Sequence, residues 1–216
     1  MELQNKFEGL KPRIISAAVM AIMALTCLSL GGMFFIGLIM LAALQMIREW
    51  DSITLNENII WRLCGLGYVA LPCASLVWLR GLDGGFGIVL SLFLAIWATD
   101  IGAYFAGRII GGPKLAPQVS PNKTWAGLCG GMIAAAFALA IATSFSSFPK
   151  SPANALLIGI LLALFGQIGD LFESWLKRRA GVKDSSNLIP GHGGLLDRVD
   201  GIILTAPLYA LLVSVA

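Results

Sequence analysis

The chain has 216 residues, of which 57% are hydrophobic and 12% charged, with a formal net charge of +3 and a mean hydropathy of +0.83. Soluble domains carry about 25% charged residues, so an ordinary water-soluble fold is excluded and a single membrane-embedded domain, residues 1–216, is expected. Spans of about 20 residues joined by short connections leave room for about six to eight helices.

Taken in order, the first apolar run covers residues 14–30 and follows Lys6, Lys11 and Arg13. Secretory signal peptides share that layout, but no A-x-A-like cleavage site follows and a second apolar run starts at once, so a retained first span is expected. Gly31-Gly32 breaks the pattern and residues 33–47 resume it, predicting a tight helical hairpin that ends at Arg48-Glu49-Trp50-Asp51. A third span is expected over residues 60–79. Pro72 lies inside it, which a membrane helix tolerates. The fourth, residues 86–109, contains Asp100, and Asp100, Ala103, Tyr104 and Gly107 follow the spacing of one helix face. Small residues on such a face predict close helix packing.

Residues 111–125, GGPKLAPQVSPNKTW, read as a loop without the G-x-x-x-x-G-K-[ST] pattern of a P-loop. Lys123 is a candidate for binding phosphate as a point charge, whereas Lys114 reads more simply as a surface charge facing anionic lipid. Spans five, six and seven are expected at residues 126–144, 153–178 and from 195 to the C-terminus. The fold class is therefore all-α, with about seven transmembrane helices. Cys27, Cys64, Cys73 and Cys129 are scattered through apolar stretches without C-x-x-C spacing and read as small buried hydrophobes.

The stretch from Gln167 to Gly201 is the polar exception, and it holds the only histidine. If span six continues through Lys177, Gln167, Asp170, Ser174 and Arg178 fall within about 80° of one another, with Lys177 at the edge of the stripe. Glu173 points away and is expected to matter less. A charge near the bilayer centre costs about 2.5 to 3.5 kcal/mol on insertion scales. Asp170 therefore calls either for a structural ion pair with Lys177 or Arg178, or for a functional role. Beyond Arg179, Ala-Gly is a helix stop. Pro190, Gly191, Gly193 and Gly194 leave little side chain around His192, so the backbone can approach a ligand there. Asp197, Arg198 and Asp200 follow at the mouth of the last helix. Two acids about an arginine suit Mg²⁺, which takes a few carboxylates plus phosphate oxygens; the same acids serve equally as helix caps.

Ser174-Trp175-Leu176-Lys177-Arg178, Lys183-Asp184, Pro190-Gly191-His192-Gly193-Gly194 and Asp197-Arg198-Val199-Asp200 together resemble the signature of the phosphatidate cytidylyltransferases, or CDP-diacylglycerol synthases. Trp97-Ala98-Thr99-Asp100 with Gly102-Ala103-Tyr104, and Ser120-Pro121-Asn122-Lys123-Thr124-Trp125 with Gly127, are similar to two further stretches of that family. The likeness covers residues 95–205, a catalytic part with its signature at 174–200, while residues 1–90 match only in hydropathy and in an opening like LKPRII.

The resemblance implies transfer of CMP from CTP to phosphatidic acid, giving CDP-diacylglycerol and pyrophosphate. A lipid phosphate oxygen would attack the α-phosphorus of CTP, so the demands are in-line positioning and neutralisation of charge on two anions. That nucleophile is already ionised at neutral pH, and His192, placed in the catalytic set, need not act as a general base. Asp170 and Asp197 are expected to be the chief Mg²⁺ ligands, with Asp200 and Asp100 as weaker ones and a second cation left open. Lys177, Arg178, Arg198, Lys183 and Lys123 are expected to clamp phosphates and Ser174 to donate to a phosphate oxygen. Gly193 and Gly194 would let backbone amides approach the nucleotide, and Asp184 belongs to the same nucleotide-binding set.

With a cytoplasmic N-terminus, seven spans leave only Arg80 and Lys150 outside and the other 13 Lys and Arg residues inside. The active site is then expected at the cytoplasmic face of the inner (plasma) membrane. CTP, phosphatidic acid and the bilayer are the expected partners, without nucleic acid; a homodimer is left open. The alternatives are a cation-coupled transporter, for which Asp100 and Asp170 would line an ion path, and an enzyme of another lipid, an isoprenoid kinase or an ether-lipid cytidylyltransferase. A CDP-alcohol phosphotransferase is disfavoured because its D-G-x-x-A-R pattern is missing.

Overall fold

The computed structural model describes residues 2–55, 57–189 and 193–216, with side chains from residue 14 onward. A helix stands at each expected apolar run: α1 (Glu2–Leu30), α2 (Gly32–Ile53), α3 (Ile59–Gly81), α4 (Gly85–Ile109), α5 (Trp125–Ala142), α6 (Pro152–Arg179) and α7 (Leu196–Ser214). Five of them, α2 to α6, are long and apolar enough to cross a membrane. The protein is a polytopic helical membrane protein. Its large exposed side chains, among them Phe34, Leu41, Phe105, Phe137 and Leu157, are what a lipid-facing perimeter requires, because lipid tails solvate them as well as a protein core would.

Local chemistry sets the helix ends. Gly31 and Gly32 adopt φ of 64° and 49°, and this left-handed backbone reverses the chain between α1 and α2. Asn58, Thr124 and Ser151 cap α3, α5 and α6 by accepting from Trp61, Gly127 and Asn154 backbone N–H groups. Leu195, at the same position before α7, offers no side-chain cap.

One expectation is corrected. Residues 111–125 contain a small antiparallel hairpin, β1 (Lys114–Ala116) and β2 (Ser120–Thr124), with Lys114 opposite Thr124 and Ala116 opposite Ser120. Two prolines and the lack of polar–apolar alternation hide these short strands from a periodicity reading. The expected packing face of α4 is also adjusted. A Cβ on Gly102 would lie 2.6 Å from both the Ala134 Cβ and the Gly130 carbonyl oxygen, and one on Gly159 would lie 2.6 Å from the Ala136 Cα. Small residues thus let α4, α5 and α6 pack backbone to backbone. Ala103 and Gly107 join this face, but Tyr104 turns outward, 56% exposed, and accepts a 2.5 Å hydrogen bond from Arg108.

The bundle has two unlike ends. At one end lie the α2–α3 turn, the hairpin, the α6–α7 segment and most of the cations; Arg179 there makes a bidentate pair with Glu57 (2.6 and 2.9 Å) and stacks on Trp61 and Trp175. At the other end Arg80 donates to the Leu28 carbonyl (2.8 Å) and Lys150 to the terminal Ala216 (3.2 Å). The larger core, around Leu28, Leu79, Leu92, Leu139 and Leu162, fills the bundle toward that far end, where buried Tyr209 bonds Ser91 (2.9 Å) and donates to the Phe148 carbonyl (3.1 Å). A second core of Met46, Trp50, Val69, Leu176 and Leu196 lies beneath the polar end.

Candidate active site

Three helices bring one aspartate each to a common cleft: Asp100 from α4, Asp170 from α6 and Asp200 from α7, with Thr99 and Gln167 beside them. Close backbone approach makes this convergence possible. A Cβ on Gly169 would stand 2.7 Å from the Asp200 carbonyl oxygen, so glycine at that point lets α6 and α7 draw together where their acids meet.

Asp170 is the hub of the cleft. Ser174, one helical turn later, donates to its Oδ1 at 3.2 Å, as the predicted stripe requires. Lys123, carried in by β2, forms an ion pair with its Oδ2. The carboxylate is therefore neutralised from the hairpin, and not by Lys177 or Arg178 of its own helix. Arg178 donates to the Val182 carbonyl (3.2 Å).

Asp197 does not line the cleft. Its Oδ1 accepts from Lys177 at 2.5 Å, and its Oδ2 accepts from Ser185 N–H (2.8 Å), Ser185 Oγ (2.9 Å) and Gly194 N–H (2.8 Å). Asp197 and Asp200 nonetheless share a face of α7, being three residues apart. Lys177 also donates to Glu173 (3.0 Å), which is completely buried. It thus joins two carboxylates on adjacent helices.

The segment after α6 is held close. Gly193 adopts φ of 83° and pairs with Ile189 as an isolated bridge; a Cβ there would come within 2.7 Å of Asp197 Oδ2. The Gly194 amide points at Asp197. Lys183, Asp184 and Arg198 are exposed on the rim of this end. His192 lies outside the described residues.

Two acids went unrecognised in the sequence. Glu173 falls off the polar stripe of α6, yet that side faces α7. Glu49 stands at the end of the expected hairpin, where no role is expected of it; in the structure it is 2% exposed with five donors within hydrogen-bond distance. The signal that could have found both is the cost of any acid within a membrane helix. Gly194 is tied to Glu49, because a Cβ there would stand 2.6 Å from Glu49 Oε2. Gly194→Ala is expected to cost about 1–3 kcal/mol by overpacking, seen as a lower Tm in detergent; an unchanged Tm would show that the contact relaxes freely.

Fold and cleft define a class, a multi-pass helical membrane protein with a carboxylate-rich, lysine-countered site at one end of its bundle. The chain belongs to the Cytidylyltransferase family, whose model matches residues 54–216. It is similar to the phosphatidate cytidylyltransferase of Brucella suis, 43% identical over 189 residues that cover 87% of this chain and 68% of the relative. The phosphatidate cytidylyltransferase of Rickettsia bellii is 37% identical over 203 residues, 91% of this chain and 87% of that one. That of Rickettsia prowazekii is 35% identical over 204 residues, with 91% and 89% covered.

Proposed function

We propose that this protein is a membrane nucleotidyltransferase that moves the cytidylyl group of CTP onto phosphatidate, releasing pyrophosphate and leaving CDP-diacylglycerol. The observation that carries the reading is the gathering of Asp100, Asp170 and Asp200 beside Lys123, within a chain whose curated relatives are named for that reaction. Both reactants are polyanions, so the site must supply positive charge and fix an in-line geometry; a general base is unnecessary.

The donor set suits a hard divalent cation such as Mg²⁺. Three carboxylates and a single lysine leave excess negative charge in the cleft, and all the acidic donors are oxygens. Among the described residues no three acidic or histidine side chains converge on one point, so phosphate oxygens and water would complete the shell, as Mg²⁺ commonly allows. Asp170 would hold the ion, with Asp100 and Asp200 reaching it directly or through water. Such an ion would supply positive charge to offset that of the phosphates.

Lys123 then acts as a movable point charge, resting on Asp170 until a phosphate competes for it. Ser174 orients Asp170. Arg178, Lys183 and Arg198 form a basic rim that draws in the nucleotide, with Asp184, Gly193 and Gly194 shaping the segment beside it. Most Lys and Arg residues lie at the site end and Arg80 and Lys150 at the other, which under the positive-inside rule supports seven spans and a cytoplasmic site in the inner membrane.

The test is to incubate the purified protein with labelled CTP and a panel of phospholipids, with and without Mg²⁺. Pyrophosphate release is expected only with phosphatidic acid and the metal. Release with a different lipid, or none with any, overturns the assignment.

A further inference from the structure

The least expected polar centre of the molecule is Glu49, on α2. Its Oε1 accepts from Gln45 Nε2 (2.8 Å), Ser186 Oγ (2.8 Å) and Leu195 N–H (3.0 Å). Its Oε2 accepts from Leu196 N–H (2.7 Å) and lies 3.0 Å from Ser185 Oγ, whose one proton it shares with Asp197 Oδ2. Two carboxylate oxygens offer about four lone-pair sites, so this acid is saturated. The donors come from three separate pieces of chain: its own helix, the segment after α6 and the first turn of α7.

The contact at α7 has a definite meaning. Helices begin with unpaired N–H groups that a local Ser, Thr, Asp or Asn normally satisfies. Leu195 supplies no such group, and Glu49 reaches in from a helix almost 150 residues away in sequence to accept from the N–H groups at that position and the next. It also places negative charge at the positive end of the α7 dipole. One and four residues beyond Leu196 are Asp197 and Asp200. Ser185 links the two systems, since its Oγ meets both Glu49 Oε2 and Asp197 Oδ2. Glu49 lies before the family-matched region, which starts at residue 54.

We infer that Glu49 is a positioning residue for nucleotidyl transfer: it caps α7 from outside and clamps the segment at 185–186, fixing where Asp197 and Asp200 stand relative to Asp170. The inference rests on the transferase reading given above. It assigns the N-terminal helices a part in the chemistry without any contact to substrate.

The experiment compares Glu49→Gln, Glu49→Asp and Ser186→Ala with the wild type, measuring kcat and KM for CTP and hydrogen exchange across residues 183–200. Glu49→Gln keeps the shape but turns donors toward donors; kcat should fall at least about tenfold with a smaller change in KM. Exchange should quicken in 183–200 and stay unchanged in α4 and α5. Glu49→Asp keeps the charge and should recover part of the rate. Ser186→Ala removes one donor only, so it should remain folded while showing a milder form of both effects. Folded variants with wild-type kcat and unaltered exchange would overturn the inference. A wild type that consumes no CTP with phosphatidic acid would refute the transferase reading instead, and the exchange comparison would still decide whether Glu49 holds the segment.

Discussion

Asp170→Asn is expected to abolish CTP-dependent pyrophosphate release, a loss on the order of a thousandfold or more, comparable to removing a principal electrostatic group from an active site. The substitution is nearly isosteric, so helix α6 and its contacts should survive. Three functions of the native side chain disappear together: the pairing with Lys123, full acceptor strength toward Ser174, and the negative charge shared with Asp100 and Asp200 across the cleft. Asp100→Asn should cost less, because Asp100 lies exposed at the margin of the cleft. Activity of Asp170→Asn within a few-fold of wild type, in protein with an unchanged Tm, would remove Asp170 from the centre of the mechanism.

The second large effect is on stability. Lys177 holds together the carboxylates of Glu173 and Asp197, whose side chains are 0% and 4% exposed. Lys177→Met fills the same space yet leaves two buried acids without their cation. Removing one partner from a buried ionic group costs about 3–5 kcal/mol, which for a protein of this size corresponds to a Tm lower by roughly ten degrees or more. Adding Glu173→Gln should restore part of the loss, because one of the two stranded charges is then gone. Thermal unfolding in detergent measures both. A single variant as stable as wild type, or a double variant worse than the single, would show that the three groups do not act as a unit.

Much of this could be seen in the amino-acid order. Apolar runs placed all seven helices, five of which are long and apolar enough to cross a membrane, and the 100° step on α6 placed Ser174 next to Asp170. The partner of Asp170 was beyond reach of that method: Lys123 arrives from another part of the chain on a hairpin too short to show a period. The stripe also misjudged Glu173, because a periodicity argument identifies which residues share a face but not which neighbour each face meets. Glu49 was overlooked for a third reason. Its position among polar residues at the end of a span has an ordinary explanation in water, and only the arrival of α7 against it turns an interfacial charge into a buried acceptor.

The hydrogen-bonded plug of Ser91, Tyr209 and the Phe148 carbonyl bears on the route that reactants take. Any conduit running the full depth of the bundle would have to part these buried groups, along with the leucine packing beneath the cleft. A pump needs a second vestibule; a transferase does not. With these groups buried at the distal side, CTP would reach the aspartates from the charged end, and pyrophosphate would leave by the way the nucleotide came in.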